Sequence, residues 1–353
     1  MPVSLDRPLS RRVVLFALAS LLATAGTPLQ AQYPVAPTPV LTLGSLTREP
    51  RVSGYVSARE TLRSDTSTFI LNRARLAVQA LPAAFIAVRL QADFAAVGRT
   101  TGTTGDTIPA IQVTDAFIQL GIPDSANRIA QLLRPALIIG QFRTPFALEY
   151  LTSFSSVITA NRSLAADRVS PRRDRGIYGQ VRFPRLVVLN AAVVDGEGPN
   201  RTNNPDGRQM VVARATVLPL PTLSVSGKWA GQGSDHRWGY DARWVRGPAV
   251  LEGELIERDG PTNATTNADV RAGHVLAAYR VYPWLQPVVK WEQLHQTLTT
   301  ATTSANTRLT HTTVGVNFIA PQDRFRMQLN WIDRSERPVA RKGEFVAQFQ
   351  ALF

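Results

Sequence analysis

Nine arginines carry most of the side-chain chemistry this chain can offer. Arg73, Arg75, Arg89 and Arg143 sit in alternating segments, and Arg162, Arg168, Arg172, Arg173 and Arg175 crowd into one interval. A guanidinium is planar, permanently charged, and forks its donors toward carboxylate or phosphate oxygens. Such a set suits attraction and passage of an anion rather than proton transfer or nucleophilic attack. The other polar residues point away from catalysis. His236, His274, His295 and His311 are scattered with no metal-ligand spacing, and Ser304 and His311 do not make a Ser-His arrangement. Asp195-Gly196-Glu197-Gly198 follows a strand-like segment, but no helix follows it, so it is no phosphate loop. With no cysteine there is no thiolate or disulfide chemistry. The expectation is a non-enzyme with no cofactor and no metal.

The arginines dominate the charge as well. Of 39 basic residues only Lys228, Lys290 and Lys342 are lysine, and the formal net charge is +13. A basic balance fits nucleic acid, an anionic membrane or an anionic solute. The N-terminus chooses among them. Arg7, Arg11 and Arg12 precede an apolar run over 13–23, with small residues and cleavage points after Ala25 or Ala31. That is the form of a secretory signal peptide, and it is too short to span a bilayer as a helix. Residues 1–31 are therefore expected to be removed on export, and nucleic acid drops out as a partner. Residues 32–50 read as a Pro-rich linker, and 51–353 as one unit.

From Arg51 onward the pattern has period two. Ile70, Ala74, Leu76, Val78 and Ala80 are apolar between Arg73, Arg75 and Gln79; Ile86, Val88, Leu90, Ala92 and Phe94 alternate with Arg89, Gln91 and Asp93. Ala116, Ile118 and Leu120 oppose Asp115 and Gln119, and the same form returns around Arg214, Asp241, Lys290 and Gln328. Period two puts the two sets on opposite faces of a strand. About sixteen such segments of ~10 residues fit tilted membrane-spanning strands.

The connections alternate too. Short turns are expected at Leu81-Pro82, Phe183-Pro184, Pro219-Leu220-Pro221, Gly247-Pro248, Tyr282-Pro283 and Ala320-Pro321, and long polar ones over 98–109, 195–208, 259–269 and 297–307. Short on one side and long on the other is the habit of an outer-membrane barrel. The connection over 121–135 is the exception, a dozen residues with room for one helical turn. Trp229, Trp244, Trp284, Trp291 and Trp331 read as an interfacial girdle. The last segment places Phe345, Ala347, Phe349, Ala351 and Phe353 on one face. The predicted fold class is an all-β transmembrane antiparallel barrel of about sixteen strands, since closure removes the long edges a soluble sandwich would have to protect.

The interval 138–176 organises the rest. It opens as a strand through Arg143, stops at Thr144-Pro145, runs about thirty residues without clear period, and restarts near Arg175. A connection this long usually carries function, and its Phe146, Tyr150, Phe154, Leu148, Leu151 and Leu164 argue against plain disorder. The expectation is an inward-folded constriction loop over 144–174 whose arginines meet the water path together with lumenal Arg73, Arg75, Arg89 and Arg143. The bland reading has those arginines paired with Asp93, Asp115, Glu252 and Glu254, or the loop solvated outside.

Several stretches resemble the phosphate-selective porin O and P family. They are 69–76, 139–146, Asn161-Arg162-Ser163, Arg175-Gly176-Ile177 and Asp195-Gly196-Glu197-Gly198, and the resemblance covers most of the mature chain. It implies a homotrimer of sixteen-stranded barrels in the bacterial outer membrane, with a third external loop narrowing an arginine- and lysine-lined anion path. This chain differs in having three lysines, and in carrying Asp and Glu on the same polar faces. Recognition of the terminal Phe353 by the barrel-insertion machinery follows from the same resemblance to bacterial barrels. The expected function is passive diffusion of small anions, phosphate or polyphosphate first, with outer-membrane lipid as surroundings. A weakly selective general porin and a non-conducting barrel plugged by its loop remain alternatives.

Overall fold

The computed structural model describes residues 39–95, 111–122, 128–183, 186–201, 203–263, 265–337 and 342–353. The signal segment expected over 1–31 and the loop expected over 98–109 lie outside these residues. Sixteen strands form one closed barrel in which each pairs antiparallel with its sequence neighbours. They are β1 Arg51–Arg63, β2 Ser67–Ala83, β3 Ile86–Asp93, β4 Gln112–Gly121, β5 Ala136–Arg143, β6 Arg173–Phe183, β7 Val187–Val194 and β8 Met210–Leu220. The second half comprises β9 Leu223–Gln232, β10 Asp235–Arg246, β11 Ala249–Asn263, β12 Thr266–Tyr279, β13 Leu285–Thr299, β14 Ser304–Ile319, β15 Phe325–Arg337 and β16 Lys342–Leu352. Closure is made by β1 against β16, from Tyr55 opposite Leu352 to Arg63 opposite Glu344. Phe353 continues that ladder, exchanging N–H and carbonyl with Gly54 at 2.9 and 3.0 Å. No edge remains unpaired, as a sheet in hydrocarbon requires.

The alternation predicted from sequence sets the two faces. Along β16, Glu344, Val346, Gln348 and Gln350 are buried inside while Phe349 and Phe353 are exposed outside. Exposed Trp229, Trp238, Trp284, Trp291 and Trp331 stud the outer wall, where aromatic girdles belong. One phase assignment is corrected. Asn72 is an extra residue between the pairs Ser57–Arg73 and Ala58–Leu71, a β-bulge that reverses the alternation. Phe69 and Leu71 therefore face outward, at 69% and 43% exposure, and Ile70 does not share the face of Leu76.

Two of the long connections are also corrected. Strands β11 and β12 run to Asn263 and from Thr266, and β13 and β14 to Thr299 and from Ser304. The segments read as loops over 259–269 and 297–307 are mostly extended ladder. Threonine is a good strand residue even where it is polar, and the Thr297 hydroxyl donates across the ladder to Asn306. The first short turn falls beyond Leu81-Pro82, between β2 and β3, with the ladder irregular at that proline. The connection over 121–135 holds the short helix Arg128–Leu133. The end of the linker is tied in as well. The Leu41 N–H and carbonyl bond the Gln119 amide at 2.7 and 2.8 Å, and Val40 and Leu41 pack against the inner core cluster.

Candidate functional site

The loop over 144–172 is bound to the inner wall by its own backbone. The Leu148 N–H donates to Glu254 of β11 at 2.7 Å, that of Ala160 to Asn330 of β15 at 2.7 Å, and that of Leu164 to Glu292 of β13 at 2.6 Å. The Ile158 carbonyl accepts from Asn317 of β14 and Gln328 of β15, each at 2.8 Å, and the Phe146 carbonyl from Arg214 of β8. Inward-pointing strand side chains make all these bonds, so this part of the chain lies within the barrel. The wall beneath it is apolar where a porin lumen is expected to be polar. Val212, Ala230, Ile256, Val270, Ala272 and Leu294 form one buried cluster with Phe146, Tyr150, Leu164 and Val169 of the loop. Fully burying each large side chain favours this placement by about 1.5–3 kcal/mol. Inside the loop, Leu148–Leu151 make one helical turn, and Ala165–Val169 a π-turn closed by the Ser170 N–H on the Ala165 carbonyl at 3.1 Å.

Across the lumen, β1–β6 bring most of the predicted arginines together. Arg75 pairs with Asp93 at 2.9 Å and Arg73 approaches the same carboxylate at 3.7 Å. Asp115 is held between Arg173 at 2.7 Å and Arg89 at 3.2 Å. Arg143 donates to the Leu151 carbonyl at 2.6 Å and lies within electrostatic reach of Arg173, Arg162 and Arg75. Arg162 donates to the carbonyls of Glu149 and Thr152, both at 2.9 Å. Its guanidinium stacks over Tyr150 and Phe154, 4.7 and 5.4 Å from the ring centroids. Arg73 stacks over the Phe154 ring too, 4.8 Å from its centroid. Contacts of this kind contribute ~0.5–2 kcal/mol each.

Arg59 belongs to the cluster and escaped the sequence reading. It bonds Gln348 at 3.0 Å and Asn161 at 2.8 Å, and also reaches the Ala160 carbonyl. The available signal was its position on the polar side of β1, two residues beyond Ser57. Arg59, Arg143 and Arg162 enter no ion pair among the described residues, so seven arginines here face two paired carboxylates and the more distant field of Asp167, which reaches Arg59, Arg73 and Arg162.

Not every predicted arginine joins. Arg168 and Arg172 are exposed at the π-turn, with Arg172 donating to the Asp167 carbonyl at 2.9 Å. Arg175 pairs instead with Asp195 at 2.9 Å, on the next connection. Gln141 donates to the Val113 carbonyl at 2.7 Å and accepts from Asn200 N–H at 2.8 Å. Arg162, expected to face water, is buried.

The electrostatics of the loop follow from this crowding. Burial, reinforced by Arg173 and Arg75, lowers the Arg162 guanidinium to about 10. Burial alone would raise the Tyr150 hydroxyl, but Arg173, Arg162 and Arg172 outweigh it and hold that group below its ordinary value.

The opposite wall is balanced. Asp241 binds Arg214 at 2.7 Å and Lys228 at 3.0 Å, and Lys228 reaches on to Glu254. Lys290 lies 3.7 Å from Glu292, which also faces His311 at 3.8 Å, and Arg243 stands 3.6 Å from Glu252. The alternative pairing of Arg73, Arg75, Arg89 and Arg143 with Asp93, Asp115, Glu252 and Glu254 is met only at Asp93 and Asp115; Glu252 and Glu254 take Arg243 and Lys228 instead.

An apolar outer belt around a closed sixteen-stranded wall, with charged side chains and a bound loop inside, defines an outer-membrane barrel of the porin class. Residues 220–352 match the family model described as Phosphate-selective porin O and P, the family that the strand and loop motifs resemble. That stretch begins at the end of β8, so it covers the balanced wall and not most of the arginine face. No curated protein matches the chain. Among solved structures, a loop L8 deletion mutant of OmpT, an outer membrane protein of Vibrio cholerae, superposes with a TM-score of 0.63 at 12% identity, covering 86% of this chain and 99% of that one. An anion-selective porin from Comamonas acidovorans gives 0.62 at 11% identity, with 86% and 99% covered. The outer membrane channel DcaP of Acinetobacter baumannii gives 0.58 at 12%, with 86% and 97% covered. At such identities the likeness is one of fold.

Proposed function

We propose that the barrel is a trimeric outer-membrane channel for small anions, with phosphate or polyphosphate favoured, entering along the arginine face of β1–β6. One observation carries the reading: Arg59, Arg73, Arg75, Arg89, Arg143, Arg162 and Arg173 converge where, among the described residues, only Asp93 and Asp115 form ion pairs with them and Asp167 alone of the loop carboxylates adds its field to Arg59, Arg73 and Arg162. Such an excess between low-dielectric walls focuses a positive field. Exposed Arg168 and Arg172 extend it along the loop. An ion that passes must bind weakly at several places rather than tightly at one. The buried arginines then act by field, and the half-exposed Arg73 by contact. Support comes also from the family description and from the Comamonas acidovorans neighbour, described as anion-selective. The trimer is inferred from OmpT of Vibrio cholerae, described in a trimer form.

The loop's bonds to β1, β8, β11, β13, β14 and β15 favour a second reading, a barrel plugged by its own loop. Single-channel recording in a potassium chloride gradient separates the readings. A reversal potential on the chloride side, with phosphate block weakened in Arg143→Ala or Arg162→Ala, is expected. Equal permeability to both ions makes the channel a general porin, and absence of conductance in folded protein makes it a plug.

A further inference from the structure

We infer that Glu149, Glu252 and His274 form a divalent transition-metal site that clamps the inward loop to the β11–β12 wall. One carboxylate comes from the helical turn of the loop, one from β11 and the imidazole from β12. All three residues are buried, and their ligand atoms lie within 4.8 Å of one another. Three atoms so spaced always share a point within about 2.8 Å of each, so sub-ångström shifts reach the ~2.0–2.2 Å of zinc–nitrogen and zinc–oxygen bonds.

The second observation is independent of proximity. His274 is only 2% exposed, yet neither of its ring nitrogens has a hydrogen-bond partner. Glu149, also 2% exposed, has its Oε2 bound by the Ser163 N–H at 2.5 Å and its Oε1 without any partner. Buried polar atoms left unmatched cost on the order of 1–3 kcal/mol apiece, and both residues that carry them belong to the cluster. Of the two nearby cations, Arg243 stands 3.6 Å from Oε2 of Glu252, and Lys290 is committed elsewhere. Lys290 donates to the Asn161 carbonyl at 2.9 Å and leans on Glu292. Glu254, the Cα partner of His274 across the ladder, also has a buried and unpartnered Oε2. A carboxylate in that place is the usual orienting group for the far nitrogen of a ligating histidine.

One nitrogen and two carboxylate oxygens suit zinc, cobalt or nickel better than calcium or magnesium, which take oxygen alone. Glu252 and His274 lie on paired neighbouring strands, but only the loop's entry into the barrel brings Glu149 to them, so no sequence spacing could have revealed the whole set. An ion here would hold the Leu148–Leu151 turn against the wall and set how far the loop can move, independently of which solute the channel passes.

The test uses the folded full-length barrel, chelator-stripped, dialysed against zinc and then against metal-free buffer. Metal is counted by inductively coupled plasma mass spectrometry. About one zinc per chain is expected in the natural protein and in His311→Ala, and at least tenfold less in His274→Ala and Glu149→Gln. Loaded with cobalt, the natural protein should show the visible absorption of a low-coordinate nitrogen–oxygen site. That spectrum needs no variant, so a misfolded substitution cannot shelter the inference. Substoichiometric zinc in the natural protein, a cobalt spectrum like the aqueous ion, or equal loss in His311→Ala would each overturn it.

Discussion

The two walls of this lumen use charged residues in opposite ways. On β8–β14, cations and carboxylates alternate closely enough that Lys228 touches both Asp241 and Glu254, and Asp241 touches both Lys228 and Arg214. Those side chains are at most 1% exposed, and the loop rests on them. On β1–β6 and the loop beside them, seven arginines form ion pairs with two carboxylates among the described residues, and several are satisfied by carbonyls, amides and aromatic faces instead. A carbonyl holds a guanidinium in place without cancelling its charge. One wall therefore seats the loop, and the other keeps a field.

The largest effect expected from this contrast lies on the seating wall. Lys228→Met leaves Asp241 and Glu254 buried with fewer counter-charges, and breaking a buried pair from one side costs about 3–5 kcal/mol. Urea unfolding of the folded barrel in detergent measures it. A loss below about 1 kcal/mol would mean that the network is wetter than its burial indicates. Asp115→Asn is the matching change on the other wall. It releases Arg89 and Arg173 from their shared carboxylate, with an expected cost of about 2 kcal/mol. It should also move the reversal potential further toward chloride, whereas Lys228→Met should move it the other way if at all. Parallel shifts would erase the distinction between the walls.

Smaller still is the contribution of one half-exposed charge. A unit charge about 8 Å from the ion path contributes ~0.5 kcal/mol in water, a factor of about two in the permeability of the anion. Arg73→Gln should show roughly that, and Arg168→Gln the same or less. A tenfold change from either would place it at the narrowest point, and no change from both would put the path elsewhere.

The wall was legible in the sequence because a strand in a bilayer obeys period two almost without exception. Strand number, closure and the outward aromatic stripe of β16 all follow from that rule. It failed where backbone geometry broke the phase, at the Asn72 bulge. It failed again where threonine and asparagine extended the ladders of β11–β14 past the expected turns. The arginine cluster was legible as a composition and not as a place. Arg73, Arg75, Arg89, Arg143, Arg162 and Arg173 meet, but Arg175 turns to Asp195, and Arg59 was hidden in a strand whose faces were not assigned. The apolar patch of Val212, Ile256 and Val270 was less visible. Val212 and Ile256 share their inward faces with charged residues, Val270 sits between Ala268 and Ala272, and only the folded barrel makes the three contiguous.

The smallest prediction tests the field itself, apart from stability and conduction. Tyr150 lies under Arg162 and near Arg173, 4.7 and 5.9 Å from its ring centroid. Those charges favour tyrosinate more than burial opposes it, so its hydroxyl ionises below the ordinary value of 10. A depressed folded value means that ionisation adds stability. The gain is complete above the unfolded pKa and is lost as pH falls through the folded one. Raising the pH of the native barrel should therefore produce an early step of tyrosinate absorbance that Tyr150→Phe lacks. In Arg162→Gln the step should move toward 10 while the barrel stays folded. In Lys228→Met, a change on the balanced wall, it should stay where it was. Equal movement in both variants would mean that the hydroxyl responds to loop disorder rather than to the arginines above it.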